Sequence, residues 1–102
     1  YIAPLSNIGK DVFIGPAAVL INDRYPLNKR LEGVNIGDGV IIGAKSVIGS
    51  GCTIGNNSVV CMGAVVTKDI PPETVVMGHP AKAAYSRSEY EKKKCTWEKK
   101  LK

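Results

Sequence analysis

Residues 21 to 35 read INDRYPLNKRLEGVN and gather Asn22, Asp23, Arg24, Tyr25, Asn28, Lys29, Arg30 and Glu32. These groups hold and orient polar ligands: a carboxylate takes a cation or a proton, an amide donates or accepts, and guanidinium and ammonium meet anions. The stretch contains no histidine, and the only one in the chain is His79. Without such a base an alcohol is too weak an acid to act as a nucleophile at neutral pH. An amine needs less help, since with a pKa of about 8 roughly a tenth of it is already free base at pH 7. A nucleophile held by this cluster, with Asn22 and Asp23 at its head, is therefore better read as an amine than as an alcohol. A loop that merely packs between subunits is the alternative reading of the same residues.

Metal and thiol chemistry are poorly served. Cys52, Cys61 and Cys95 show no metal or redox spacing, and their odd number points to a reducing compartment. A single histidine cannot supply a three-histidine zinc site, so no metal is expected.

The cluster interrupts a regular pattern, and that pattern is what must position it. Aliphatic residues recur every sixth position at Ile2, Ile8, Ile14 and Leu20, then at Ile36, Ile42, Ile48, Ile54, Val60 and Val66. In "IGDGVIIGAKSVIGSGCTIGNNSVV", residues 36 to 60, glycine stands directly behind four of the five. A period of six fits neither a helix nor a straight strand; it fits a chain that turns a corner every six residues. Glycine at fixed phase marks a recurring bend or a close approach of backbones, and hexapeptide periods signal β-solenoids. Four residues after each aliphatic comes a second inward position of modest volume: Val12, Ala18, Val40, Ser46, Cys52, Ser58 and Ala64. The step from Leu20 to Ile36 is 16 residues, one hexad with ten extra. Residues 21–35 are thus an inserted loop, and loops of this kind carry binding chemistry.

The pattern of aliphatic, glycine, two variable positions and a small residue resembles the hexapeptide-repeat acyltransferases, over residues 2 to about 82. The resemblance implies an all-β fold, a left-handed parallel β-helix of triangular section with one inserted loop. Within that group Asn22-Asp23-Arg24-Tyr25-Pro26 resembles the nucleotide-sugar N-acetyltransferases, which acylate an amino group on a deoxyamino hexose. There an arginine commonly follows the proline, whereas Leu27 stands here. The resemblance implies Asn22 and Asp23 as catalytic residues and Tyr25, Pro26 and Arg30 as substrate contacts. Related sugar O-acetyltransferases place a histidine base in this loop. Hexapeptide-repeat carbonic anhydrases need three zinc-binding histidines. This sequence offers neither.

"GAVVTKDIPPETVVMGHPAK", residues 63 to 82, looks like the final coil and exit of that family, where coenzyme A lies between subunits. Gly63 and Ala64 are expected to leave backbone amides open to pantetheine, Lys68 and Lys82 to meet phosphates, and Pro80 and Ala81 to form a ledge for adenine. His79 stands where the family usually has asparagine. The alternative for this stretch is a repeat ending in proline-rich turns.

The repeats build only about three coils, too small a core to stand alone comfortably, and the resemblance implies a homotrimer with sites between subunits. The pattern is in phase from Ile2, as expected for a fragment of a longer repeat. Net charge is +5, and eight Lys or Arg with three Glu from Lys82 onward account for all of it. The tail, residues 83–102, is read as a basic helix capped through Ser86–Glu89 or Ser88–Glu91, with Tyr90, Trp97 and Leu101 on a stripe that packs on the prism or a neighbour. Interleaved glutamates argue against nucleic acid. No run is long and apolar enough for a bilayer, and a cytoplasmic protein is expected. The functional expectation is acetyl transfer from acetyl-CoA to an amino nucleotide sugar for surface polysaccharide, with sugar O-acetylation or a non-catalytic assembly module as alternatives.

Overall fold

The computed structural model describes residues 1–27 and 29–100; Asn28 of the loop cluster and Leu101 of the expected helical stripe lie outside them. Each hexad contributes a two-residue strand: β1 (Asn7–Ile8), β2 (Phe13–Ile14), β3 (Val19–Leu20), β4 (Asn35–Ile36), β5 (Ile41–Ile42), β6 (Val47–Ile48), β7 (Thr53–Ile54), β8 (Val59–Val60) and β9 (Val65–Val66). They stack in parallel as three sheets, β1-β4-β7, β2-β5-β8 and β3-β6-β9. The result is a three-sided parallel β-helix. The chain closes with β10 (Thr74–Met77), β11 (Lys82–Ser86) and α1 (Arg87–Lys99).

Register gives the coil length. Ile36 pairs with Ile54 and Ile42 with Val60, eighteen residues apart, whereas Ile8 pairs with Ile36 and Leu20 with Ile48, twenty-eight apart. The ten extra residues fall between β3 and β4, where the described residues 21–34 form no strand. The phase also continues beyond Val66, but two residues short. Ile70 bridges Ile54 and Val76 pairs with Val60. These add a fourth parallel rung to two sides, and Ile2 bridging Leu20 adds one to the third.

The inward aliphatics form the core. Leu20, Ile42, Ile48, Ile54, Val60 and Val66 are fully buried, and burial of this kind is worth about 1.5–3 kcal/mol for each such side chain. The small second positions Ala18, Val40, Ser46, Cys52, Ser58 and Ala64 are buried with them. Ser46 stays polar there because its hydroxyl donates to the Gly43 and Cys61 carbonyls at 2.7 and 3.1 Å.

The glycine expectation is refined on one point. The bend lies two residues after that glycine, where Asp11, Ala17, Gly39, Lys45, Gly51, Asn57 and Gly63 take positive φ. The glycine behind the aliphatic is there for space: a Cβ at Gly43 would stand 2.7 Å from Met62 Cα in the next coil.

The tail departs from expectation. Residues 82–86 are not helical but form β11, antiparallel to β10. Helix α1 is capped by Ser86, one of the two expected caps, with its hydroxyl accepting from the Glu89 amide at 3.2 Å. Ser88–Glu91 makes no cap, because Glu91 pairs with Arg87 and Lys94. Arg87 anchors the helix by donating to the Gly39 and Asn57 carbonyls at 2.9 and 3.0 Å. No helical residue is buried, and Trp97 is 62% exposed. The expected stripe packs only at its start: half-buried Tyr90 lies against Ile41, Val59 and Met62 of the coil, whereas Trp97 faces outward. No helix among the described residues is long and apolar enough to cross a membrane.

Candidate functional site

The loop is held at its neck by backbone groups. The Glu32 amide donates to the Asn22 carbonyl at 3.0 Å, and Ser50 Oγ donates to the Glu32 carbonyl at 2.7 Å. Asn22 Nδ2 donates to the Pro4 carbonyl at 3.0 Å. Asn22 therefore ties the loop to the first coil, which leaves its Oδ1 as the side-chain atom available to a ligand. Asp23 is different. Its Oδ1 is buried and has no hydrogen-bond partner among the described residues. A buried carboxylate oxygen without a partner is destabilising, so this atom is the one most in want of a donor.

Beyond the neck lies a cavity of about 470 Å³ lined by Arg24, Tyr25, Lys29, Arg30 and Glu32. A second, of about 300 Å³, is lined by Ile21, Arg24, Tyr25, Gly49, Ser50 and Thr67. Arg24 and Tyr25 face both, so the two spaces adjoin along the coil corner. Arg30 and Glu32 make an exposed ion pair at 3.4 Å. The expected substrate contacts Tyr25 and Arg30 thus share a cavity, whereas exposed Pro26 lines neither.

The residues expected at coenzyme A divide into two places. The Ala81 amide donates to the Val65 carbonyl at 2.8 Å, and the Val65 amide to the Gly78 carbonyl at 3.0 Å. Gly63, Ala64, Pro80, Ala81 and Lys82 therefore gather around the start of β9, while Lys68 lies past its other end, next to the Thr67 of the smaller cavity. The expectation of free amides needs correction. Gly63 N donates to the Ala44 carbonyl at 2.9 Å and Ala64 N to the Cys61 carbonyl at 3.1 Å. The Ala64 carbonyl accepts from Val47, and its side chain is buried. Coil pairing takes these groups. What remains is exposed surface at Gly63, Pro80, Lys82 and Lys68.

Sequence reasoning missed Gly49, Ser50 and Thr67 as lining residues. A signal was present: with coils of eighteen, Gly49 and Thr67 occupy the same corner in successive turns. The thiols are not candidate nucleophiles. Burial pushes the Cys52 thiol up, with the nearby Asp69 carboxylate adding to it and Arg24 partly opposing it; burial likewise raises Cys61. Among the described residues no three His, Cys, Asp or Glu side chains cluster to hold a metal ion.

Residues 33–68 match the family described as bacterial transferase hexapeptide (six repeats). The chain is 42% identical over 81 residues to the 2,3,4,5-tetrahydropyridine-2,6-dicarboxylate N-acetyltransferase of Staphylococcus aureus, covering 79% of this chain and 33% of that protein. It superposes on a galactoside acetyltransferase solved in complex with coenzyme A at a TM-score of 0.77 and 35% identity, covering 85% of this chain and 48% of that one. A hexapeptide-repeat acetyltransferase from Vibrio cholerae O1 biovar eltor, solved with acetyl coenzyme A, superposes at a TM-score of 0.69 and 37% identity, covering 79% and 49%. The chain spans between a third and a half of the length of these proteins.

Proposed function

Its repeat makes this chain a member of the hexapeptide-repeat transferases, and from that membership we propose that it transfers an acetyl group from acetyl-CoA to the amino group of an amino sugar. The resemblance of Asn22-Asp23-Arg24-Tyr25-Pro26 supports a nucleotide-linked sugar. The observation that carries the amine is Asp23: a buried, unpartnered carboxylate oxygen at the mouth of a histidine-free loop.

Acetyl-CoA supplies the activated acyl group. Exposed Lys68 and Lys82 have no ion-pair partner among the described residues and suit its phosphates, and the open side of Gly63 admits a chain against the coil. The protein's own part is positioning. Asp23 pairs with the substrate ammonium, takes a proton from it as the free amine forms, and releases that proton once the new amide bond has replaced the thioester. The thiol leaves protonated, so the charges balance. Holding the amine in line with the acyl carbon makes a bimolecular encounter effectively intramolecular, the largest contribution available without a strong base. Asn22 Oδ1 is the acceptor that orients a second substrate group.

The proposal extends to a homotrimer with the site shared between subunits, supported by the fully exposed Leu27 and largely exposed Tyr25 at the loop tip. It also extends to left-handed winding, a cytoplasmic location and a role in surface polysaccharide synthesis. Transfer to a sugar hydroxyl is the second reading, favoured by the similarity to a galactoside acetyltransferase. Labelled acetyl transfer to matched amino and hydroxyl sugars separates the two. Turnover confined to amines, lost in Asp23→Asn with acetyl-CoA binding retained, is the expected result; turnover of hydroxyl acceptors alone would reject the amine assignment.

A further inference from the structure

Residues 1–81 carry six cations and six anions, and three of those cations, Arg24, Lys29 and Arg30, fall within the loop. All three line the 470 Å³ cavity, together with a single carboxylate, Glu32. Glu32 is already engaged with Arg30 at 3.4 Å. Arg24 and Lys29 have no ion-pair partner among the described residues, so the cavity presents an excess of two positive charges. Like charges in one concavity repel, and a site lined by one sign of charge concentrates the opposite ion. The space suits a small molecule. Arg24 follows Asp23 directly in the chain, although Asp23 itself lines neither cavity.

Resting on the acyl-transfer reading above, we infer that Arg24 and Lys29 select acceptors carrying an anionic group, a carboxylate or a phosphate, a short reach from the amine. Asp23 and this cation pair then read the two ends of a zwitterionic acceptor. A guanidinium grips two oxygens of either anion in a bidentate manner, and lysine adds a point charge. Arg24 makes no ion pair with Asp23 among the described residues, so each charge is left for a different part of the ligand. A neutral amino sugar satisfies only the carboxylate side, so the predicted preference lies in the acceptor and not in the acyl donor.

The test uses the full chain and four acceptors at saturating acetyl-CoA: a neutral amino sugar, its phosphate ester, a nucleotide-linked amino sugar and an amino dicarboxylate. Wild type is expected to favour charged acceptors, and the ranking of the phosphate and carboxylate arms identifies the source of the anion. In Arg24→Gln and Lys29→Gln the ratio of charged to neutral kcat/KM should fall by about tenfold for each cation lost. The change should reside in acceptor KM, with Lys10→Gln, the same charge loss on a distant corner, as control. Calorimetry with pyrophosphate and with a simple dicarboxylate reads the site independently of turnover. Anion binding present in wild type and lost in the double variant supports the inference even if no acceptor is acetylated, in which case the transfer reading fails alone. A charge preference that survives both variants, a shift in acetyl-CoA KM instead of acceptor KM, or no anion binding to wild type would each overturn it.

Discussion

Replacing Gly43 by alanine tests whether the glycine behind each aliphatic residue exists to let coils pair. A Cβ there would stand 2.7 Å from Met62 Cα and 2.8 Å from the Cys61 carbonyl carbon, where ordinary contact begins at 3.4 Å. Both are backbone atoms of the next coil and cannot rotate away. The Met62 amide nitrogen is nearer still, so the coils must part by at least about 0.7 Å at that corner. The bond from the Gly43 amide to the Val60 carbonyl, now 2.7 Å, would then approach the limit of hydrogen bonding, and that from the Gly63 amide to the Ala44 carbonyl, now 2.9 Å, would be strained with it. Weakening two ladder bonds costs about 1–2 kcal/mol each, so the variant should lose about 2–4 kcal/mol. At about 4–8 °C per kcal/mol for a domain of this size, Tm should fall by roughly 8–32 °C. Gly63 provides the contrast. Its φ is +73° and nothing lies within 4 Å of a Cβ, so Gly63→Ala should cost only the left-handed penalty of about 1–2 kcal/mol. Gly63→Asn should cost less still, since Asn57 holds the matching turn position at φ 60°. Thermal and urea unfolding followed by circular dichroism rank the three variants. If Gly43→Ala lies within about 1 kcal/mol of wild type, or Gly63→Ala is the worse of the two, the spacing argument is wrong.

Ser58 is fully buried, donates to the Pro71 carbonyl at 2.6 Å and accepts from the Thr74 amide at 3.2 Å. Ser58→Ala leaves both backbone groups unpaired and should lower the urea midpoint by the equivalent of about 1–3 kcal/mol. Arg87→Ala removes the two carbonyl contacts that dock α1; hydrogen exchange should speed up across the helix while the coil amides keep their protection. Because burial raises the Cys52 and Cys61 thiols above the ordinary 9.0, the unfolded chain releases thiol protons at a lower pH than the native one. Stability should therefore decline as pH rises past that value, and the decline should be smaller in Cys52→Ala. In the native protein a chromogenic disulfide should react first with exposed Cys95 and last with buried Cys52; prompt reaction of Cys52 would contradict its place in the core.

Much of the coil was legible because each hexad repeats the same geometry, so an aliphatic at the right phase is pinned to the same inward direction wherever it occurs. The reading stopped at Val66 for an equally physical reason. The last coil is two residues shorter, and its Asp69-Ile70-Pro71-Pro72 corner carries Ile70 to a place that the six-residue count assigns to Pro72. The turn positions were misjudged because two distinct demands, positive φ and close backbone approach, both recruit glycine. Lys45 and Asn57 meet the first without it, whereas Gly43 is held to the second.

The loop was legible only as a departure from the period. Inside it, Arg24, Lys29 and Arg30 are equivalent cations on paper, and Arg30 was singled out by resemblance. What distinguishes them is tertiary. Ser50 and Asn22 clamp the backbone of Glu32 at the neck, which fixes where its carboxylate sits and so which cation it neutralises. The coil corner, by holding the Glu32 backbone, favours the pair with Arg30 and leaves Arg24 and Lys29 without an ion-pair partner among the described residues. By the same reasoning, Ser50→Ala, which removes the hydroxyl bound to the Glu32 carbonyl, should loosen Glu32 and shrink the preference for anionic acceptors. A preference unaffected by Ser50→Ala would mean that the Arg30–Glu32 pair is set by the loop alone.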